Sequence, residues 1–220
     1  AIAFDRSATV LQGQLTGCEA MIIGAGDKAT ITVNEKSSPQ RQRFSIGHEL
    51  GHWFKDRGKV GNLCSKHDMD SPSGAGKSRE VIANEYASEL LLPTYLLKPV
   101  LQDRPLDQSL LSEVVSAFDV SFMAALRRVI GSQHHMGFFA MYDSKGRRRL
   151  FKANESLPYE FLPPQLAPEH SRTYELIHNG KKSGYGLTDG EVWCRRDLTD
   201  LGVVHENAFH YHDDIFITLV

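Results

Sequence analysis

The stretch RFSIGHELGH, residues 43–52, places two histidines four positions apart, with a glutamate directly after the first. In an α-helix, residues i and i+4 lie on one face, so His48 and His52 can both point at a single ion. Glu49 then projects beside them, toward whatever that ion binds. This spacing of two imidazoles and a carboxylate predicts a helical metal site of the kind that hydrolyses peptide bonds.

A catalytic zinc site uses three protein ligands and keeps its fourth position open, so two histidines require a third ligand. We expect that ligand from a second helix, which the apolar pattern and a following proline predict over about residues 79–92. This helix carries three glutamates, Glu80, Glu85 and Glu89. At about 100° per residue, Glu85 and Glu89 point about 140° and 180° away from Glu80 and are typical of a solvated helix face.

Small residues distinguish the helix face that carries Glu80. Ala83 and Ala87 lie on that face, and the histidine helix carries Gly47 and Gly51. Glycines inside a helix weaken it by about 1 kcal/mol each, so they suggest a neighbour whose backbone comes close. Two alanines set against two glycines would bring a short carboxylate within about 2 Å of the ion, and we therefore expect Glu80 to be the third ligand.

Glu49 has a predicted role in catalysis rather than in holding the metal. It would act as the general base, taking a proton from the attacking water and later passing it to the leaving amine, while the ion polarises the scissile carbonyl. Zinc is the expected ion, although two histidines and a carboxylate also suit manganese or iron. The alternative is a capped surface helix whose histidines are incidental.

The elements around this motif can be read from local patterns. EAMIIG (19–24) and ATITVN (29–34) flank the turn-like residues AGDK and predict a β-hairpin. Ser38 and Pro39 then predict the N-cap and the first residue of the histidine helix. A buried stripe is expected at helical spacing, formed by Ile46, Leu50 and Trp53.

Residues 55–79 are polar, rich in glycine and serine and without periodicity, so they predict a long loop that gates the site. Within this loop, the Cys64 thiolate and His67 suggest a latency device that folds back onto the open metal position. The alternative, which we favour, is a free and partly buried cysteine. The segment SPSGAGKS superficially resembles a phosphate-binding loop, but Ser71 stands at the required first glycine and no strand precedes it.

The second half of the chain predicts helices followed by a mixed α/β unit. Helical patterns recur at 94–102, 108–117 and 121–130, and the last two resemble a helix-turn-helix in spacing. Because the second of these begins with the apolar residues SFMAAL, we expect it to pack rather than to read DNA bases. From Gly137 onward, a helix at about 170–178 and four strand patterns follow: GFFAMYD, RRRLFKA, EVWC and DIFITLV.

Composition narrows the classes of partner. A formal net charge of -2 over 220 residues, with no sustained basic run, argues against coating nucleic acid by bulk electrostatics. Three cysteines, far apart and odd in number, suit a reducing compartment, and we expect a cytoplasmic protein. No apolar run approaches the roughly 20 residues that span a bilayer, so no membrane partner is expected.

Two blocks, RQRFSIGHELGHW and EVIANEYASELLLP, resemble the ImmA/IrrE family of bacterial metallopeptidases, and the second begins 32 residues after His48. The resemblance covers about residues 15–100. It implies that His48, His52 and Glu80 are the metal ligands and that Glu49 is catalytic. The ligand set implied by the family therefore agrees with the argument from helix faces.

A radiation-response member of this family continues with a helix-turn-helix-like segment and a GAF-like domain, to which residues 106–131 and 137–220 are similar in order and size. The resemblance implies an α+β chain in three parts. A zincin-like helical peptidase domain with a small β-sheet would occupy residues 1–104. A helix-turn-helix-like linker at 105–132 and a C-terminal GAF-like α/β domain at 133–220 would follow.

The family also implies a substrate: a helix-turn-helix repressor of the XRE type, usually encoded beside the peptidase. Its site-specific cleavage would derepress a stress, DNA-damage or mobile-element response. Two alternatives remain open: a metal-dependent module that binds the repressor without cutting it, and the toxin of a toxin–antitoxin pair. The expected partner is the repressor protein, and direct DNA binding is not expected.

Overall fold

The computed structural model describes residues 1–55, 79–132, 134–181, 183–194, 201–212 and 217–219, together with the backbone of 62–64 and 215–216. The chain forms two compact units. Unit 1 comprises Ala1–Leu96 and Phe118–Ser121, and unit 2 comprises Leu97–Ala117 and Phe122–Val220. Both mix helices with a small sheet, which confirms the α+β class. The expected three-part division at residues 104 and 132 stays a prediction.

The elements up to the end of the second long helix are, in chain order, α1 (Ile2–Asp5), β1 (Ala8–Gly13), β2 (Ala20–Ala25), β3 (Lys28–Asn34), α2 (Pro39–Lys55), β4 (Asn62–Cys64) and α3 (Arg79–Leu91). They are followed by α4 (Thr94–Leu101), α5 (Gln108–Phe118), α6 (Phe122–Ile130), β5 (Phe138–Asp143), β6 (Arg148–Ala153), α7 (Arg172–Asn179), β7 (Ser183–Asp189), β8 (Val203–His212) and β9 (Ile215–Leu219).

Unit 1 contains a four-stranded sheet in the order β1-β3-β2-β4. β2 and β3 form the predicted hairpin, with Ala25 paired to Lys28, and β1 lies parallel to β3. Strand β3 alternates as its sequence predicts, since Ala29, Ile31 and Val33 are all buried. Their side chains form one face of the core against which α2 packs.

The start of α2 and its buried stripe follow the sequence pattern. The Ser38 hydroxyl accepts a hydrogen bond from the Arg41 amide at 3.3 Å, which is the expected N-cap. Leu50 and Trp53 are buried, and Ile46 is partly buried against the same core. Trp53 also donates from its indole nitrogen to the Arg6 carbonyl at 3.0 Å. The apolar stripe thus leaves a different face of α2 for the two histidines.

Unit 2 contains a five-stranded antiparallel sheet in the order β6-β5-β9-β8-β7. Helix α7 contacts β7, β8 and β9, and it begins where the Ser171 hydroxyl accepts from the Tyr174 amide at 3.0 Å. The buried carboxylate of Glu206 accepts from the backbone amide and the hydroxyl of Thr173, each at 3.0 Å. These bonds join the first turn of α7 to strand β8.

The strand expected at EVWC was wrong. Gly190–Val192 form a 3-10 turn, because the Asp189 side chain accepts from the Glu191 amide at 3.0 Å and bends the chain. Trp193 follows the turn and is completely buried in the core of unit 2, against Phe138. The apolar residues at this position therefore reflect a buried turn rather than a strand.

Among the residues that the structure describes, no single helix is both long and apolar enough to cross a membrane. The pair α5 and α6 passes the same test of length and composition when taken together, with a bend of 114° between its helices.

Candidate metal centre

The contact between α2 and α3 sets two glycines of one helix against two alanines of the other. A Cβ placed on Gly47 would lie 3.2 Å from the Ala87 Cβ, and one placed on Gly51 would lie 2.9 Å from the Ala83 Cα. Both alanines are completely buried. The predicted packing of two glycines against two alanines is therefore confirmed, and it brings the ligand-bearing faces of the helices together.

Three potential ligand atoms from these helices converge on one point. The Nε2 atoms of His48 and His52 lie 3.0 Å apart. The Oε2 atom of Glu80 lies 3.2 Å from the His48 Nε2 and 3.4 Å from the His52 Nε2. Among the described residues, these three form a group that could hold a metal ion.

The spacing of these atoms fits a small divalent cation. Zinc bonds of about 2.0–2.1 Å in a tetrahedral arrangement separate neighbouring ligand atoms by about 3.3–3.4 Å. The observed separations of 3.0, 3.2 and 3.4 Å lie close to that value. Among the described residues, three protein ligands meet at this point, and three such ligands leave one tetrahedral position for a water or a substrate, as in catalytic zinc sites.

Burial favours the form of His48 that binds metal. His48 is completely buried and His52 is 3% exposed. Burial lowers the pKa of His48, as does the charge of His52, while Glu80 and the hydrogen bond to Asn84 act in the opposite direction. The neutral imidazole is the ligating form, so the lowered pKa of His48 favours metal binding. The Glu80 side chain is 36% exposed, which leaves the site open toward solvent on that side.

Glu49 stands between the two histidines in the sequence of α2, and its side chain is completely buried. Its charge acts on the thiol of Cys18, whose pKa is raised first by burial and then by Glu49. This electrostatic interaction links Glu49 to Cys18, which stands two residues before β2. The sequence offered no signal for it, because the two residues are 31 positions apart and Cys18 belongs to no motif.

The structure adds one polar neighbour that the sequence motif did not assign. The Asn84 Oδ1 atom lies 2.9 Å from the Nδ1 atom of His48. Asn84 comes four residues after Glu80 on α3, so both side chains leave the same face of that helix. The helix-face pattern could have shown that Asn84 points toward α2, but not which histidine it would contact.

The other residues singled out from the sequence lie elsewhere or beyond the described part. Glu85 is exposed, and Glu89 is exposed with its carboxylate accepting from the backbone amide of Thr94 at 2.9 Å. The Cys64 side chain and His67 lie outside the described residues, as does most of the loop at 55–79. A latency or gating role for Cys64 and His67 therefore stays a prediction.

Residues 18–129 match the Peptidase_M78 family, which is described as the IrrE N-terminal-like domain. This match spans just over half of the chain and includes α2 and α3 with all three candidate ligands. It confirms the resemblance seen in the two sequence blocks. No curated protein sequence matches the chain.

A solved structure of a Mycobacterium tuberculosis transcriptional regulator is similar in fold. Its TM-score is 0.60 at 12% sequence identity, and the alignment covers 99% of this chain and 68% of that one. At this level of identity, the likeness shows a shared fold over nearly the whole chain, including both units. It carries no information about activity.

Proposed function

The chain belongs to the Peptidase_M78 family, and on that premise we propose that it is a zinc-dependent endopeptidase that acts as a regulator. One observation carries the proposal: the Nε2 atoms of His48 and His52 and the Oε2 atom of Glu80 lie within 3.4 Å of one another beside a buried glutamate. A purely structural zinc site has four protein ligands, whereas the described part of the chain brings three to this point, together with a neighbouring glutamate that can serve as a general base.

His48, His52 and Glu80 would hold the ion. When bound, the ion supplies Lewis acidity, which polarises the scissile carbonyl and makes water more acidic. Glu80 brings one negative charge to the site and the neutral histidines bring none, so a divalent ion would keep a net positive charge. That excess of positive charge would favour the developing oxyanion of a peptide under attack.

Glu49 would move the protons of the reaction. Its carboxylate would accept a proton from the attacking water and return it to the amine that leaves. Its complete burial supports this role, because a buried carboxylate on the histidine helix does not belong to a solvated helix face. Its position directly after His48 keeps the carboxylate beside the ion.

We propose that the substrate is a helix-turn-helix repressor of the XRE type, encoded near the peptidase in a bacterial genome. Family membership supports this substrate class. The similar Mycobacterium tuberculosis protein is named a transcriptional regulator, which agrees with a role in controlling transcription. Cleavage in the cytoplasm would remove the repressor and turn on a stress, DNA-damage or mobile-element response. The chain itself would not need to bind DNA.

The finer architecture is part of the same proposal. The bend of 114° between α5 and α6, and their link of three residues, support a helix-turn-helix-like segment. The single five-stranded antiparallel sheet with α7 on it supports a GAF-like α/β domain in unit 2. In this scheme unit 2 docks the repressor or senses the signal that permits cleavage, because a cytoplasmic peptidase needs specificity from outside its catalytic residues.

The decisive experiment compares Glu49→Gln with the wild type. Purified, zinc-loaded protein is incubated with the neighbouring repressor, and fragments are identified by mass spectrometry. The wild type should cut at one site, and the variant should bind zinc equally while losing at least about 10²-fold in cleavage rate. Glu85→Gln, which makes the same change on an exposed face, should cut at the wild-type rate.

The two alternatives give different outcomes in the same assay. A module that sequesters the repressor would bind it, leave it intact, and behave identically with Glu49→Gln. A toxin would arrest growth on expression without cutting the repressor. Either pattern, in zinc-loaded wild-type protein, would contradict the peptidase proposal.

A further inference from the structure

His48 is held by two neighbours besides the atoms that face the metal position. Its Nδ1 atom lies 2.9 Å from the Asn84 Oδ1. Its ring stacks with the Phe44 ring, at a centroid separation of 6.5 Å and an interplanar angle of 28°. The aromatic contact limits the tilt of the imidazole, and the hydrogen bond limits its rotation. No motif in the sequence assigns either role.

The hydrogen bond also decides which ring nitrogen carries the proton. A carbonyl oxygen only accepts, so the Asn84 Oδ1 requires a proton on the His48 Nδ1. In a neutral imidazole the other nitrogen then keeps its lone pair. That nitrogen is Nε2, the atom that faces His52 and Glu80. The side chain of Asn84 therefore selects the tautomer of His48 that can bind a cation.

Asn84 and Glu80 reach the site together because they stand four residues apart on α3. Glu80 places a potential ligand atom beside the Nε2 atom of His48, and Asn84 contacts the Nδ1 atom on the other side of the same ring. The close contacts of Gly47 and Gly51 with α3 keep the two helices near enough for both side chains to reach the histidines. One helix thus supplies both a ligand and the group that orients a ligand on the other helix.

We propose that Asn84 is a positioning residue for metal binding, which fixes His48 in its Nδ1-protonated tautomer and aims Nε2 at the metal. The inference rests on the proposed function, since it takes His48, His52 and Glu80 as the ligand set. Asn84 does not touch the metal or the substrate. Its amide is neutral, so it orients the imidazole without adding a negative charge to the site. A carboxylate at this position would orient the imidazole too, but it would add a second negative charge.

The test uses the full chain and zinc alone as the probe. Asn84→Leu has a similar size but no hydrogen-bond acceptor, and its zinc dissociation constant, measured by competition with a chelator, should rise by about 10–100-fold. Asn84→Asp keeps an acceptor oxygen at the same position and should bind zinc at least as tightly as the wild type. Asn34→Leu removes another amide of unit 1, bonded to the Leu15 carbonyl at 3.2 Å, and should leave zinc affinity within about threefold.

A second readout reports the tautomer directly. In ¹⁵N NMR spectra of the histidine side chains of the metal-free protein, the wild type and Asn84→Asp should show the His48 Nδ1 as protonated and Nε2 as not protonated. Asn84→Leu should show a mixture of tautomers or the reverse assignment. A residue that merely fills space would not change this signal.

The outcomes separate the two levels of the proposal. A wild-type protein that binds no zinc overturns the proposed function and this inference together. A wild type that binds zinc, with Asn84→Leu equal to it in affinity and in tautomer, overturns only the role of Asn84. Should Asn84→Leu fail to fold, Asn84→Asp still decides: zinc binding weakened by more than about tenfold in that variant contradicts the inference.

Discussion

Gly51 lies so close to Ala83 that a Cβ added to the glycine would stand 2.9 Å from the alanine Cα. His52 directly follows this glycine, and Glu80 precedes the alanine by three residues on α3. The distance between the helix backbones at this contact therefore helps to set the separation between the His52 Nε2 and the Glu80 Oε2, which is 3.4 Å. Packing and ligand geometry depend on the same pair of small residues.

Gly51→Ala should therefore weaken both the fold and the metal site. Overpacking costs about 1–3 kcal/mol, and the better helix propensity of alanine returns about 1 kcal/mol. We expect a net loss of up to about 2 kcal/mol in the free energy of unfolding by urea, with zinc binding at least about tenfold weaker. Gly47→Ala, whose added Cβ would stand 3.2 Å from Ala87, should show smaller effects of the same sign. A more stable Gly51→Ala protein with unchanged zinc affinity would refute this coupling.

The identity of the third ligand can be tested on α3 alone. Glu80→Ala removes the carboxylate that lies 3.2 Å from the His48 Nε2, and the purified protein should lose its stoichiometric zinc. Glu85→Ala makes the same change on an exposed face of the helix and should keep about one zinc per chain. Metal analysis after dialysis measures both. The helix-face argument is wrong if Glu85→Ala loses the ion while Glu80→Ala retains it.

Much of unit 1 could be predicted because its signals are local. The alternation in β3, the Ser38 cap and the apolar stripe of α2 each depend on residues within a few positions. The choice of Glu80 also needed only helical periodicity and the presence of small residues on both helices. The three candidate ligand atoms lie within 3.4 Å of one another, and this arrangement follows from that packing.

The features that were missed depend on contacts between distant residues or on weak local patterns. The hydrogen bond between His48 and Asn84 spans 36 positions, and helical periodicity alone gives no rotamer. Strand β7, SGYGLTD, carries two glycines that lower its strand propensity. The Arg172 side chain packs against both glycines, close to the positions that their Cβ atoms would take. Tertiary packing thus overrode the local preference at β7.

Zinc should stabilise the folded protein and a chelator should remove that stabilisation. A ligand that binds only the native state adds about 2.7 kcal/mol when its free concentration is 100 times the dissociation constant. The thermal midpoint should therefore rise with zinc and return after chelation. His52→Ala, which removes one buried ligand, should lose most of this response. An equal zinc-induced shift in wild type and His52→Ala would place the ion elsewhere.

Asp143 anchors the turn between β5 and β6 in unit 2. Its Oδ1 atom accepts from the backbone amides of Arg147 at 2.9 Å and Lys145 at 3.0 Å, and its Oδ2 atom lies 2.6 Å from the Arg149 guanidinium. The hydrogen bond from the Arg147 amide is the largest cause that lowers the pKa of Asp143. The bond from the Lys145 amide and the charge of Arg149 lower the pKa further, and burial acts in the opposite direction. These bonds favour the charged carboxylate.

A carboxylate whose pKa is lower in the folded than in the unfolded chain contributes stability above its unfolded pKa, near 3.8, and that contribution is lost as the pH falls through the folded value. Asp143→Asn keeps an acceptor oxygen but has no charge, so it should lower the free energy of unfolding by about 1 kcal/mol at pH 7. The difference from wild type should shrink below about pH 4, as the aspartate becomes protonated. Urea unfolding at pH 7, 5 and 3 measures this, with Asp5→Asn on exposed α1 as the control that should change little at any pH. A difference for Asp143→Asn that stays constant down to pH 3 would show that charge contributes nothing to this turn.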